Sequence, residues 1–68
     1  MAFEIYINGL KYKINKLITL EQLISFLKCN QTGIAIEHNY LIAQQKMWSN
    51  IVIKPDDHIE IVTIVGGG

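Results

Sequence analysis

The sequence predicts an α+β domain in which one helix covers one face of a small mixed sheet. Three observations carry that prediction. Phe3 to Asn15 alternate apolar and polar residues with period two around an Asn8-Gly9 dipeptide. Leu20, Leu23, Ile24 and Leu27 fall at i, i+3, i+4 and i+7, and the run Ile59-Glu60-Ile61-Val62-Thr63-Ile64-Val65 is rich in β-branched residues. Period two marks half-buried strands, the helical spacing marks one apolar stripe, and β-branched side chains fit a pleated surface. Strands grouped around a single helix make an α+β layer arrangement of four or five strands.

Phe3, Ile5 and Ile7 share one face of the first strand, and Asn8-Gly9 is the dipeptide most typical of a two-residue hairpin turn. Lys11 to Asn15 return with the same period, which places Tyr12 and Ile14 inward and the lysines outward, guarding an edge. Thr19-Leu20-Glu21-Gln22 reads as a capping box, so Thr19 opens the helix. Asn30 to Gly33 should end it, with Lys28 favourably placed in its last turn. Ile34-Ala35-Ile36-Glu37 reads as a third strand, His38-Asn39 as its turn and Tyr40-Leu41-Ile42 as a short fourth strand. Ala43 to Asn50 reads as a turn of helix or 3₁₀ that tucks Trp48 under the sheet as a core plug. Lys54-Pro55-Asp56-Asp57 is a turn with proline where type I turns prefer it. The last strand is the most apolar, so it should be central and pair with the first.

A chain of 68 residues forms one domain with a thin core, and half of its residues are hydrophobic. One cysteine excludes an internal disulfide and a cysteine-cluster metal site. Cys29 lies near the helix C-terminus, where the dipole does not activate a thiol, and reads as a small half-buried hydrophobe. Formal net charge is zero and the six basic residues are all lysines, so neither a nucleic-acid footprint nor the usual arginine reader of phosphate and guanine is present. No apolar run reaches the length of a membrane span and no leader resembles a signal peptide. These features predict a soluble chain without nucleic-acid or membrane partners, cytoplasmic or, if organelle-encoded, in the plastid stroma. The Ile, Lys and Asn bias is that of an AT-rich genome. His38 and His58 read as solvent-exposed residues of separate turns, and no metal site is expected.

The ending Gly66-Gly67-Gly68 follows the final strand directly. Glycine in a strand loses the most backbone entropy and packs nothing, so the run does not serve stability. Composition leaves two readings open, a frayed end or a thin arm carrying a carboxylate. The absence of a serine-rich spacer favours the arm, with residues 1–65 as the domain and 66–68 as the tail. Alternation in the final strand puts Ile59, Ile61, Thr63 and Val65 on the core side with Ile5, Ile7 and Ile36. Val62 and Ile64 then face outward beside Tyr6 and form an apolar patch behind the tail, where a partner would grip.

The element order and the ending resemble the β-grasp sulfur carriers, most closely those of thiamine biosynthesis, over essentially the whole chain. The matching residues are Ile7-Asn8-Gly9, Thr19-Leu20-Glu21-Gln22-Leu23, Ile34-Ala35-Ile36-Glu37, Trp48, Asp57-His58-Ile59-Glu60-Ile61-Val62 and Val65-Gly66-Gly67-Gly68. The chain departs from the family pattern at Ala43-Gln44, where a Pro-Arg pair is frequent, and at Pro55-Asp56, where Asp-Gly is. The resemblance implies a protein co-substrate rather than an enzyme, with no bound cofactor. A ubiquitin-activating-type adenylyltransferase of the ThiF kind would use ATP to adenylate the Gly68 carboxylate. A persulfide donor such as a cysteine desulfurase would then supply the sulfur of a thiocarboxylate, which would serve a ThiG-like thiazole synthase. Gly66 and Gly67 would give the approach.

Three alternatives differ in the same stretch. Small subunits of molybdopterin synthase often carry a proline pair where Thr63-Ile64-Val65 stands. Ubiquitin-like modifiers usually have a basic or polar residue in place of Val65. In a non-covalent β-grasp binding module the glycines would be incidental. No nucleophile–base pair or phosphate-binding loop supports an enzyme.

Overall fold

The computed structural model describes residues 2–64. β1 (Phe3–Ile7) and β2 (Leu10–Ile14) form a hairpin and are followed by α1 (Leu20–Phe26). β3 (Ile34–His38) and β4 (Leu41–Ala43) form a second hairpin, and β5 (His58–Thr63) follows; 3₁₀ turns span Gln31–Gly33 and Gln45–Asn50. The sheet order is β2-β1-β5-β3-β4. β5 occupies the centre, parallel to β1 and antiparallel to β3, as its apolar character predicts. This is a β-grasp fold.

Both hairpins turn on two residues with positive φ, the type I′ geometry that matches strand twist. In the first they are Asn8 (51°) and Gly9 (81°), and in the second Asn39 (53°) and Tyr40 (72°). A bulky side chain in the left-handed region is costly, which makes Tyr40 an outlier for its turn. The Lys54–Asp57 turn closes with the Asp57 N–H on the Lys54 carbonyl at 3.1 Å, but Asp56 has φ 67°. That positive angle at the third position defines a type II turn rather than the expected type I.

α1 begins with the expected capping box. The Gln22 N–H donates to Thr19 Oγ1 at 3.2 Å, and the Thr19 N–H donates to Gln22 Oε1 at 2.9 Å. It ends earlier than the sequence suggests. Lys28 is not in the last turn but in the left-handed region at φ 59°. Its N–H donates to the Ser25 carbonyl at 3.1 Å, and the Cys29 N–H donates to the Ile24 carbonyl at 3.2 Å. This is a Schellman closure with lysine in the position glycine prefers. Asn30 caps the following 3₁₀ turn instead, its Oδ1 accepting from the Thr32 N–H at 3.1 Å.

The short helix sets the extent of the core. Seven residues rise only about 10 Å, and a helix is about as wide, whereas five strands span about 19 Å. Ile5, Ile36 and Ile59 beneath the helix are fully buried, together with Leu20, Ile24 and Ile53. β2 lies beyond its reach. Tyr12, expected inward, is 41% exposed, and Leu27, expected in the helix stripe, is 39% exposed. Trp48 is the anticipated core plug, buried with its Nε1–H donating to the Ala43 carbonyl at 2.8 Å. Ile18 and Ile53 join the core through a short antiparallel contact around Thr19 and Val52, with the Ile53 N–H on the Ile18 carbonyl at 2.8 Å. Cys29 is partly buried against this core.

Candidate functional site

The sequence directs attention to the C-terminal end of β5, and the structure shows how that end is fixed. β1 stops at Ile7 because its chain turns at Asn8-Gly9, which leaves the β1 side of β5 without a backbone partner beyond Ile59. The Asn8 side chain takes that role. Its Oδ1 accepts from the Ile61 N–H at 2.7 Å and its Nδ2–H donates to the Ile61 carbonyl at 3.3 Å. A carboxamide has the donor and acceptor of a peptide group, so Asn8 acts as one more residue of the ladder. On the other side, the Ile64 N–H donates to the Gly33 carbonyl at 2.8 Å. The chain is therefore held up to Ile64. Gly66, Gly67 and Gly68 lie outside the described residues.

Among the described residues no helix covers the outer sheet face. Val62 and Ile64 are 53% and 55% exposed at this end of β5; Ile61 is half-buried, and Thr63, expected on the core side, is exposed past the end of helix cover. Tyr6 shares this face but not this end. Its register partner is His58, so it sits four residues along β5 from Val62, about 13 Å away. Beside Val62 stands Ala35 of β3. Between the two apolar groups Glu37 and Glu60 face each other directly across β3 and β5, a like-charge pair that opposes sheet stability.

Neither histidine is the free surface residue that its turn-like surroundings suggest. The His58 ring is sandwiched between Tyr6, centroid distance 4.6 Å, and Tyr40, 5.6 Å. That stack explains why a tyrosine occupies the strained turn position. His38 lies partly buried with Nε2 2.7 Å from Asp57 Oδ2. Asp57 is the one buried charged residue among those described. It also accepts from the Asn39 Nδ2–H at 3.1 Å and the Lys54 N–H at 2.9 Å. Burial by itself would raise its carboxyl. The hydrogen bonds from His38, Lys54 and Asn39 outweigh burial and hold the carboxyl below its ordinary value. An ionised carboxylate only accepts, so His38 presents Nε2–H to it. These contacts lock the β3–β4 hairpin onto the turn before β5, about 20 Å along the strand from Ile64. They serve architecture at the end remote from the tail.

Among the described residues no three His, Cys, Asp or Glu side chains converge to hold a metal ion, and no helix is long and apolar enough to cross a membrane. The arrangement offers a strand end held by hydrogen bonds on both sides and an apolar outer surface beside it.

The model of the ThiS family matches residues 5–68, a span that runs from β1 through the terminal glycines. The chain belongs to the ThiS family. An uncharacterised protein ycf40 of Trieres chinensis is 41% identical over 93% of this chain and 86% of that protein. The ycf40 protein of Porphyra purpurea is 36% identical over 94% of this chain and 90% of its own length. A thiazole synthase of Magnetococcus marinus is 31% identical over 96% of this chain, which spans 20% of that protein. The crystal structure of the thiamine biosynthesis protein ThiS from Geobacter metallireducens superposes with a TM-score of 0.85 over 97% of this chain and all of that one, at 22% identity. The fold is thus that of ThiS, and the family is that of thiamine-type sulfur carriers, which are not themselves enzymes.

Proposed function

We propose that this ThiS-family chain carries sulfur on its terminal carboxylate, Gly68, for assembly of a thiazole ring. A ubiquitin-activating-type adenylyltransferase of the ThiF kind uses ATP to convert the carboxylate to an acyl-adenylate, releasing pyrophosphate. A carboxylate is a poor electrophile, and the mixed anhydride makes its carbonyl attackable. The terminal sulfur of a persulfide, supplied by a donor such as a cysteine desulfurase, displaces AMP. Cleavage of the sulfur–sulfur bond by a thiol leaves the thiocarboxylate, which a ThiG-like thiazole synthase consumes. The observation that carries this reading is that the family match extends through the glycines to residue 68. The match to one-fifth of a protein named thiazole synthase supports the choice of acceptor.

In this reading the chemistry belongs to the partners and this chain supplies presentation. Asn8 and Gly33 fix the point from which residues 65–68 depart. Gly66 and Gly67 present no side chain to a narrow channel, and Val62 and Ile64, with Tyr6 farther along the same face, form the surface that a partner grips. Glu37 and Glu60 suit basic groups on that partner. The relatives named ycf40 are plastid-genome proteins, which supports the plastid stroma as the place of work.

Intact-mass analysis after incubation with ATP, a ThiF-type adenylyltransferase and a persulfide source tests the reading. The expected product has one oxygen of Gly68 replaced by sulfur. A protein extended by one residue after Gly68 should remain unmodified; normal adenylation of that extended chain would overturn the proposal.

A further inference from the structure

On the side of the sheet away from β3 and β4, the short α1 leaves a groove of about 550 Å³ beside β2. Its walls are Tyr12, Ile14, Ile18, Leu23, Phe26 and Leu27, Lys16 borders it, and no acidic residue lines it. Phe26 is 74% exposed, a large aromatic ring at the mouth of a cleft it does not fill. β2 is also an edge strand. The Tyr6 and Asn8 N–H groups and the Glu4 carbonyl bond toward β5 and the turn before it, so Phe3, Ile5 and Ile7 bond toward β2. Their register partners Ile14, Tyr12 and Leu10 are thereby occupied, and the backbone groups of Lys11 and Lys13 point outward from the sheet.

We propose that this edge and groove bind an extended segment of another protein in which apolar and acidic residues alternate, added to the sheet as a strand beside β2. The alternation follows from the pleat. Side chains of an added strand alternate between the helix side, where Tyr12, Phe26 and Leu27 line the groove, and the outer side, where Lys11 and Lys13 project. Lysines on this edge oppose pairing with a second copy of β2, because like charges would then meet across the new ladder. The same lysines favour a strand bearing carboxylates. Among the described residues Lys11 forms an ion pair only with Glu4, at 3.8 Å and exposed, and Lys13 and Lys16 form no ion pair. The opposite edge offers far less, since β4 has three residues. β2 is separated from β5 by β1, so this segment can bind while the outer face and tail of β5 are engaged.

A heptapeptide alternating glutamate and valine is the probe, titrated into the isotope-labelled protein and followed by amide chemical shifts and hydrogen exchange. Shifts at Lys11, Lys13 and Phe26, with slowed exchange of the Lys11 and Lys13 amides, are expected. Lys11→Gln with Lys13→Gln should weaken binding about threefold to tenfold, the range for two exposed charge pairs. Phe26→Ala should weaken it severalfold without affecting the fold, the ring being exposed. Equal binding of a lysine–valine heptapeptide would overturn the proposal, as would shifts confined to Leu41–Ala43. So would sedimentation showing a dimer through β2. Dodecanoate shifting Leu23 and Phe26 where the glutamate–valine peptide shifts neither lysine amide would show an amphiphile pocket instead.

Discussion

Replacing Asn8 tests whether a side chain completes the central ladder. Asn8→Gly keeps a residue at ease at φ 51° and removes only the carboxamide. Two hydrogen bonds to Ile61 are lost, one short and one long. A net contribution of about 0.5–1.5 kcal/mol each, with the longer at the low end, gives about 1–2 kcal/mol. The added freedom of glycine in the unfolded chain costs about 0.4–1 kcal/mol and is roughly offset by its ease in the turn. Asn8→Asp keeps the acceptor for the Ile61 N–H and should lose about 1 kcal/mol. Asn8→Ala loses the bonds and adds left-handed strain of about 1–2 kcal/mol, for a total near 3 kcal/mol. Urea unfolding reads this order directly. With a slope of about 1 kcal/mol/M, Asn8→Gly should move the midpoint down by about 1–2 M. Hydrogen exchange gives the local view, and the Ile61 amide should exchange faster in Asn8→Gly. If Asn8→Gly and Asn8→Asp match the parent in midpoint and in Ile61 exchange, Asn8 is only a turn residue and the departure point of the tail is held by other contacts.

Val62→Asp should weaken binding of the adenylyltransferase at least tenfold, read by titration of initial adenylation rates, while costing less than about 1 kcal/mol of stability because the side chain is half in solvent; unfolding by this variant would refute its place on the gripping surface. Stability should fall in acid through Asp57. Its folded carboxyl titrates below the ordinary aspartate value of 3.8, so its contribution is complete above pH ~4 and is lost as pH falls through the lower folded value. Asp57→Asn should flatten that part of a pH–stability curve measured by thermal unfolding. Lys28→Gly should stabilise by about 1 kcal/mol in urea unfolding, since it relieves a left-handed lysine in the Schellman closure.

The elements were legible wherever the signal is local. Asn8-Gly9 announces a type I′ turn through its own backbone preferences, and Thr19 with Gln22 caps α1 through atoms three residues apart. The strength of the β5 run placed it at the centre, and its alternation separated Val62 and Ile64 from Ile59. What was not legible depends on meetings across the chain. Asn8 reaches Ile61, 53 positions away, and nothing near Asn8 in sequence distinguishes a turn asparagine from a ladder surrogate. His38 looked free because its carboxylate, Asp57, lies 19 positions on, beyond a 3₁₀ segment. His58 looked free because its partners come from two other hairpins. That β1 pairs with β5 places Tyr6 on the outer face but does not give the register, which puts it at His58 and not beside Val62. The early end of α1 is not legible because lysine, unlike glycine, gives no warning of a left-handed C-terminus, and the uncovered β2 edge follows from that early end.

The parallel pairing of β5 with β1 has a mechanical consequence. β5 ends at Thr63 at one end of the sheet, while the chain enters β1 at the opposite end. A load applied at Ile64 along the strand direction acts along the axis of β5. The hydrogen bonds to β1, to β3 and to the Asn8 carboxamide run across that axis. Tension therefore loads them together in shear, whereas a pull perpendicular to the strand would peel them one pair at a time. Force applied along β5 at Ile64 is therefore transmitted to the whole sheet before the strand can slip.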